Sequence, residues 1–192
     1  MKDMMVKDLM VPLEEYATVG EDATLYEAYI ALEKAQEALD LEKYGFKHRA
    51  VLVYDKNQKI VGKLGQIDAL RALEPKYFDM GDVKSISRAG FSPDFLKDMV
   101  ETHALWNEPP EDICRKSMNR KVKEYMHTPT EGEFIREDAN MREAVHLLVI
   151  GQHHSLLVTR GEDIVGILRQ IDVFRFIYQL MKTIANQGTA NR

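Results

Sequence analysis

Two stretches carry the residue types best placed to do chemistry: Gly62-Lys63-Leu64-Gly65-Gln66-Ile67-Asp68 and Gly166-Ile167-Leu168-Arg169-Gln170-Ile171-Asp172. In each, an apolar run ends in glycine-permissive backbone and turns into what reads as the start of a helix. The first N–H groups of a helix have no intrahelical acceptor, so such a start attracts anions such as phosphate. An aspartate in the first turn suits the helix dipole, and its two oxygens are enough to accept both hydroxyls of a ribose. Asp68 and Asp172 hold that position in the two stretches, each three residues after the junction residue, Gly65 or Arg169. The plain alternative is an ordinary first-turn acid, with Gly65 serving as a helix cap. Arg169 has two roles open to it. It is a charged, forked donor suited to phosphate, or it folds into the groove, pairs with Asp172 and closes that site.

Other chemistry is poorly supported. His127, His146, His153 and His154 cluster late in the chain, but their spacing matches no tight metal-ligand set, and no metal is expected. Gly62-Lys63-Leu64-Gly65 fits the Gly-x-x-Gly loop of an RNA-binding KH domain, but the chain is acidic and the surrounding order is wrong. No nucleophile elbow, P-loop or dinucleotide fingerprint is present, and Glu14-Glu15 reads as surface charge. No catalytic set is visible, so the chain is not expected to be an enzyme.

The two junctions belong to an internal repeat. Val6-Lys7-Asp8-Leu9-Met10 returns as Val122-Lys123-Glu124-Tyr125-Met126, displaced by 116 (122 − 6). Glu21-Asp22-Ala23 and Glu27-Ala28 return at the same displacement. Ile60-Val61-Gly62 and Gln66-Ile67-Asp68 return displaced by 104 (172 − 68), so the first copy holds 12 extra residues between Ala28 and Gly62. Each copy predicts the order β-α-β-β-α. A short extended piece (Ala17 to Val19; Glu133 to Ile135) precedes a helix with apolar residues at helical spacing (Leu25, Ala28, Tyr29, Leu32, Ala35; Met141, Ala144, Val145, Leu148). Two apolar strands follow, Ala50 to Tyr54 with Lys59 to Leu64, and Ser155 to Thr159 with Asp163 to Leu168. A last helix starts at Gln66 or Gln170. The extra residues, within Ala35 to Lys47, are expected to lengthen the first helix. A unit of roughly 60 residues is only marginally stable alone, so the copies are expected to pack about a pseudo-two-fold axis, with a groove between them for a ligand.

This doubled arrangement resembles a tandem pair of cystathionine-β-synthase (CBS) domains, a Bateman module, over about residues 4–75 and 119–183. The resemblance rests on the Met-ended lead-in, the β-α-β-β-α order and the junction Gly-x-x-Thr/Ser-x-x-Asp. It implies an α/β fold (α+β-type repeats) and a non-catalytic module that senses an adenosine-containing ligand: AMP, ADP, ATP or S-adenosylmethionine. By position it assigns ribose to Asp68 and Asp172, phosphate to Gly65 and Arg169, and the adenine side to Arg49-Ala50 and His154-Ser155. Both copies lack the Thr/Ser, and Arg49 and His154 are bulkier than the family pattern. The alternative function is a structural dimerisation or partner-docking module without nucleotide binding. The resemblance also implies a homodimer, for which Phe174, Ile177, Leu180, Met181 and Ile184 form an apolar helix face, and a regulated partner protein.

The domain organisation expected is repeat 1 over residues 1–75, an insertion over 76–118, repeat 2 over 119–185 and a disordered tail over 186–192. The insertion holds Phe78, Phe91, Phe95 and Trp106 and is predicted to be partly helical, with Ser92-Pro93 and Pro110 as helix starts. It packs on the repeats, or forms a lid or a partner surface with Trp106 as anchor. With 192 residues, 45% hydrophobic, 30% charged and a net charge of −5, the chain reads as a globular protein with no basic surface for nucleic acid or anionic membrane. The lone Cys114, the lack of a long apolar run and an N-terminus without a secretory h-region favour a cytoplasmic location.

Overall fold

A computed structural model describes residues 4–80 and 90–190. Residues 1–3, part of the insertion (81–89) and 191–192 lie outside it. Repeat 1 comprises β1 (Val11–Pro12), β2 (Thr18–Gly20), α1 (Leu25–Ala38), α2 (Leu41–Tyr44), β3 (Ala50–Tyr54), β4 (Ile60–Gly65) and α3 (Gln66–Leu73). The insertion contributes α4 (Lys76–Asp79), α5 (Pro93–Thr102) and α6 (Pro110–Ser117). Repeat 2 comprises β5 (Phe134–Arg136), α7 (Met141–Ile150), β6 (Ser155–Arg160), β7 (Asp163–Arg169) and α8 (Gln170–Ala190). The β-α-β-β-α order is thus present twice.

The strands form two sheets, ordered β2-β3-β4 and β1-β7-β6-β5. The first strand of each repeat runs parallel to the second, which pairs antiparallel with the third. Register locates the extra residues of repeat 1. Ala50 pairs with Gly65 and Ser155 with Arg169, while Val53 pairs with Gly62 and Val158 with Gly166. β6 is therefore displaced by 105 from β3 (155 − 50), so eleven extra residues precede β3 and one sits in the following turn. The eleven do not simply lengthen α1. That helix stops at Ala38, and the rest folds into α2 and a loop closed by Gly45 at φ 74°, a conformation that glycine adopts without strain.

The repeats are built through one another. The N–H of Val6, in the lead-in of repeat 1, donates to the carbonyl of Ala139 in repeat 2, and the N–H of Val122 donates to the carbonyl of Ala23 in repeat 1. Met5 bridges Asn140, and Lys121 bridges Thr24 in the same way. Asn140 and Thr24 are the N-caps of α7 and α1, so each lead-in docks beside the capped helix of the other copy. Val6 is fully buried in the core of repeat 2, with Met141, Leu156 and Leu168. Val122 is fully buried in the core of repeat 1, with Leu25, Val53 and Leu64. Burying a valine contributes about 1.5–3 kcal/mol, and neither copy can keep that contribution alone. A third apolar cluster lies between the sheets: Val11, Tyr16, Leu39, Tyr44, Leu52, Leu157 and Ile167.

This exchange also explains the glycine of each junction. A methyl group on Gly62 would lie 2.1 Å from the Sδ of Met126, the methionine that ends the opposite lead-in, and one on Gly166 would lie 2.5 Å from the carbonyl oxygen of Val11. The glycines make room for the exchanged segment; neither has the left-handed backbone that requires glycine.

The described insertion packs on repeat 1. Ile113 and Leu105 are buried, Tyr26 N–H donates to the carbonyl of Met118, and just past the insertion Arg120 donates to the carbonyl of Ala72 at the end of α3. Ser92 caps α5 by accepting from the Phe95 N–H at 3.1 Å. Trp106 is partly exposed, its indole N–H donating to Tyr77 Oη at 3.0 Å and its backbone N–H to Glu74 at 2.9 Å. The C-terminal helix overturns part of the expected tail: α8 runs unbroken to Ala190, so residues 186–190 are helical, while 191–192 lie outside the described residues. No helix among the described residues is long and apolar enough to cross a membrane.

Gly166→Ala is expected to destabilise the protein by about 1–3 kcal/mol, the cost of overpacking, and by more than Gly62→Ala. The added methyl at 166 meets rigid backbone, whereas the one at 62 meets a flexible methionine. Urea unfolding of the two variants checks the order.

Candidate functional site

Side chains alternate along a strand, and Leu64 and Leu168 point into the two repeat cores. Their neighbours Lys63, Gly65, Ile167 and Arg169 consequently face the space between the sheets. The two junctions thus open onto the repeat–repeat interface, related by a pseudo-two-fold axis that also relates the pairing of Val11 with Ile167 to the bridge between His127 and Lys63.

In repeat 2 the junction is closed. Arg169 and Asp172 are both about 95% buried. The guanidinium grips the carboxylate with both arms, Nε to Oδ2 at 2.5 Å and Nη2 to Oδ1 at 2.7 Å. Its Nη1 donates to the carbonyl of Phe46 at 2.9 Å and lies 3.2 Å from Nδ1 of His48, and the group lies over the Tyr44 ring at 5.6 Å. Because arginine only donates, Nδ1 of His48 is the acceptor. The ring proton is on Nε2, which donates to the carbonyl of Glu15 at 3.0 Å. Tyr16 packs on the same imidazole, centroids 4.3 Å apart. Burial first, and the Arg169 charge second, hold His48 down to about 4. Neither oxygen of Asp172 is open to a ribose in this arrangement, and the guanidinium fork is already committed.

The junction of repeat 1 is different. Gly65 is the N-cap of α3, and its N–H donates to Oδ2 of Asp68 at 2.9 Å. Asp68 is half-buried, and its Oδ1 has no hydrogen-bond partner among the described residues. Ala50 pairs across the sheet with Gly65, and Arg49 beside it is exposed. His154 is exposed, and its carbonyl accepts from Gln170 N–H at 3.0 Å. Ser155 is buried opposite Arg169, and its Oγ accepts from Lys63 Nζ at 3.2 Å.

Each groove takes its far wall from the other repeat. Tyr16 and His48 of repeat 1 stand over Arg169 and Asp172; the equivalent positions in repeat 2, given the displacements of 116 and 105, are Gly132 and His153. A methyl on Gly132 would lie 3.9 Å from His153 Nε2, so the same two positions adjoin here as well. Where the second groove is filled by an arginine and a tyrosine, the first therefore has two glycines.

Beside the Asp68 groove lies a polar cluster that the sequence did not reveal. Lys63 Nζ donates to Glu133 Oε2 at 3.3 Å as well as to Ser155, and Glu133 Oε1 accepts from His127 Nε2 at 2.5 Å and Thr130 N–H at 3.1 Å. Burial pushes the Glu133 carboxyl up, but the His127 and Thr130 hydrogen bonds and the Lys63 charge outweigh it and bring it down to about 2. No group of three or more residues suited to a metal ion occurs among the described residues.

His48, Phe46 and Tyr44 were also not singled out in sequence. The one available signal is the displacement of 105, which pairs His48 with His153, and it emerges only once the extra turn residue is located.

With this geometry in hand, comparison with known proteins is direct. The CBS domain family model matches residues 3–75 and 122–179, so the chain belongs to the CBS-domain family and carries its unit twice. Among curated proteins no match is found. Solved structures share the fold. A CBS domain-containing protein of unknown function from Bacillus anthracis has a TM-score of 0.58 at 16% identity, covering 93% of this chain and 95% of that one. The CBS domain of a CBS domain-containing membrane protein from Sphaerobacter thermophilus has 0.58 at 18%, covering 91% and 88%. CBSX2, solved in complex with AMP, has 0.55 at 18%, covering 92% and 98%.

Asp172→Ala is expected to cost about 3–5 kcal/mol in urea unfolding, because it strands the buried Arg169 charge without its partner. Acidification should act through His48. Its folded-state value lies below the unfolded 6.5, so the unfolded chain binds the extra proton and stability falls as pH drops from about 6.5 to about 4. Unfolding of the wild type and His48→Gln at pH 7.5 and 5 should show the larger loss in the wild type. Glu133 acts lower, its contribution fading from 4.5 toward about 2.

Proposed function

We propose that this CBS pair is a non-catalytic regulatory module that senses an adenosine-containing ligand in the groove beside Asp68. AMP, ADP, ATP and S-adenosylmethionine are the ligand class. The observation that carries this reading is the asymmetry of the two aspartates: Asp68 keeps Oδ1 without a partner among the described residues, at the head of a helix, with glycines rather than side chains at 65 and 132. The Gly65 backbone takes the phosphate side, and Ala50, paired with Gly65, takes the adenine side with Arg49 next to it. That a fold neighbour was solved with AMP supports the ligand class. Ligand occupancy would bias the arrangement of the two repeats by its differential affinity for two states and so reach a regulated partner protein. We further propose a cytoplasmic homodimer that meets through α8, where Phe174, Tyr178, Met181 and Ile184 are exposed.

A second reading, a docking or dimerisation module without nucleotide binding, is favoured by the missing hydroxyl at Gly65 and the filled groove at Arg169. Calorimetric titration with the four ligands separates the two. Saturable binding is expected, and Asp68→Ala should weaken it by about 10- to 100-fold, the loss of hydrogen bonds to a charged acceptor. No heat from any of them at millimolar concentration leaves the docking module.

A further inference from the structure

We infer that Arg169 is a built-in surrogate ligand of the second groove, and that residues 39–48 of repeat 1 are its fixed lid, leaving this CBS pair one working site. The inference rests on the proposed ligand-binding role for the Asp68 groove and adds which groove is closed, and by what.

The guanidinium fulfils the demands a bound molecule would meet. It satisfies both oxygens of Asp172, the carbonyl of Phe46 and Nδ1 of His48. Three of these four acceptors differ in kind, and the planar fork of arginine suits the carboxylate in a way that lysine would not. The lid is present only where it is needed. Repeat 2 has no counterpart of the eleven extra residues that precede His48 in repeat 1, and the segment they extend brings Tyr44 and Phe46 over Arg169. The lid is also tied down from both repeats. Gln36 donates to the carbonyl of His48 at 2.7 Å, and Tyr44 Oη donates to Glu15 at 2.6 Å. From repeat 2, Arg175 donates to the carbonyls of Lys43 and Glu42 at 3.1 and 3.3 Å. Leu39 and Tyr44 are buried in the cluster between the sheets. A ligand entering this groove has to break the buried ion pair and lift a packed segment, whereas none of these obstacles stands at Gly65.

Three measurements test the closure. The wild type titrated with AMP is expected to bind one equivalent per chain, and Arg169→Ser to bind a second; two equivalents in the wild type overturn the inference. Independently of any nucleotide, Arg169→Ala is expected to lower the thermal midpoint, and millimolar methylguanidinium to restore part of it in that variant but not in the wild type; an unchanged midpoint overturns the inference. Should that variant fail to fold, the wild type answers alone. With 15N-arginine labelling and assignment by Arg169→Lys, the Arg169 Nε–H is expected to exchange on the order of 100-fold more slowly than those of exposed arginines. Exchange as fast as theirs overturns the inference. If AMP does not bind the wild type at all, the nucleotide reading fails, while the methylguanidinium and exchange results still decide whether the groove is closed.

Discussion

The reciprocal exchange of lead-ins is the constraint on which the remaining architecture depends. Val6 completes the core of repeat 2 and Val122 that of repeat 1, and each is held by backbone hydrogen bonds to the other copy. A small α/β unit is short of buried apolar surface. Here the deficit of each copy is filled by the other, so the pair is the folding unit. The glycine that opens each junction follows from the same constraint, since Met126 and the Val11 backbone occupy the space a side chain would need. Because the exchange fixes the two sheets face to face, it also fixes where the two junctions open.

Within that frame the interface is chemically lopsided. On one side of the pseudo-axis Val11 and Ile167 pair within an apolar cluster. On the other, the equivalent positions are His127 and Lys63, joined through Glu133. Buried ion pairs contribute little net stability, because desolvation offsets their attraction. Their effect is on register: Lys63 and Glu133 satisfy each other only when the sheets meet in this alignment. The apolar side supplies most of the adhesion, and the polar side, next to the Asp68 groove, makes the alignment specific.

Most of the scaffold was legible in the sequence because it depends on local pattern. Helix caps such as Ser92, the strand pairs and both junctions follow from spacing and residue type, and repetition made each weak signal credible. What escaped depends on contacts between residues distant in the chain. Nothing local in Val6 marks it as a core residue of the other copy. Nothing local in Ala35 to Lys47 shows that the segment leaves the helix after Ala38 and crosses to Arg169, more than 100 residues away. The sequence left Arg169 with two opposite roles, and Phe46 and His48 decide between them. Asp68 and Asp172 look identical in sequence; only their surroundings separate them.

That separation bears on how a tandem repeat acquires a direction. Two equal grooves facing one interface would respond symmetrically to a ligand, and occupancy of either would bias the same motion. Here repeat 2 is held by a bidentate ion pair and a tied-down segment, while repeat 1 keeps a half-buried carboxylate beside a polar cluster. An element must have two accessible arrangements before a ligand can choose between them. On the proposed ligand-sensing reading, the closed groove would remove one arrangement from half of the interface and leave the response to the other half. The two departures from the family junction, Gly65 and Arg169, therefore have opposite consequences: one puts no side chain into its groove, and the other fills its counterpart.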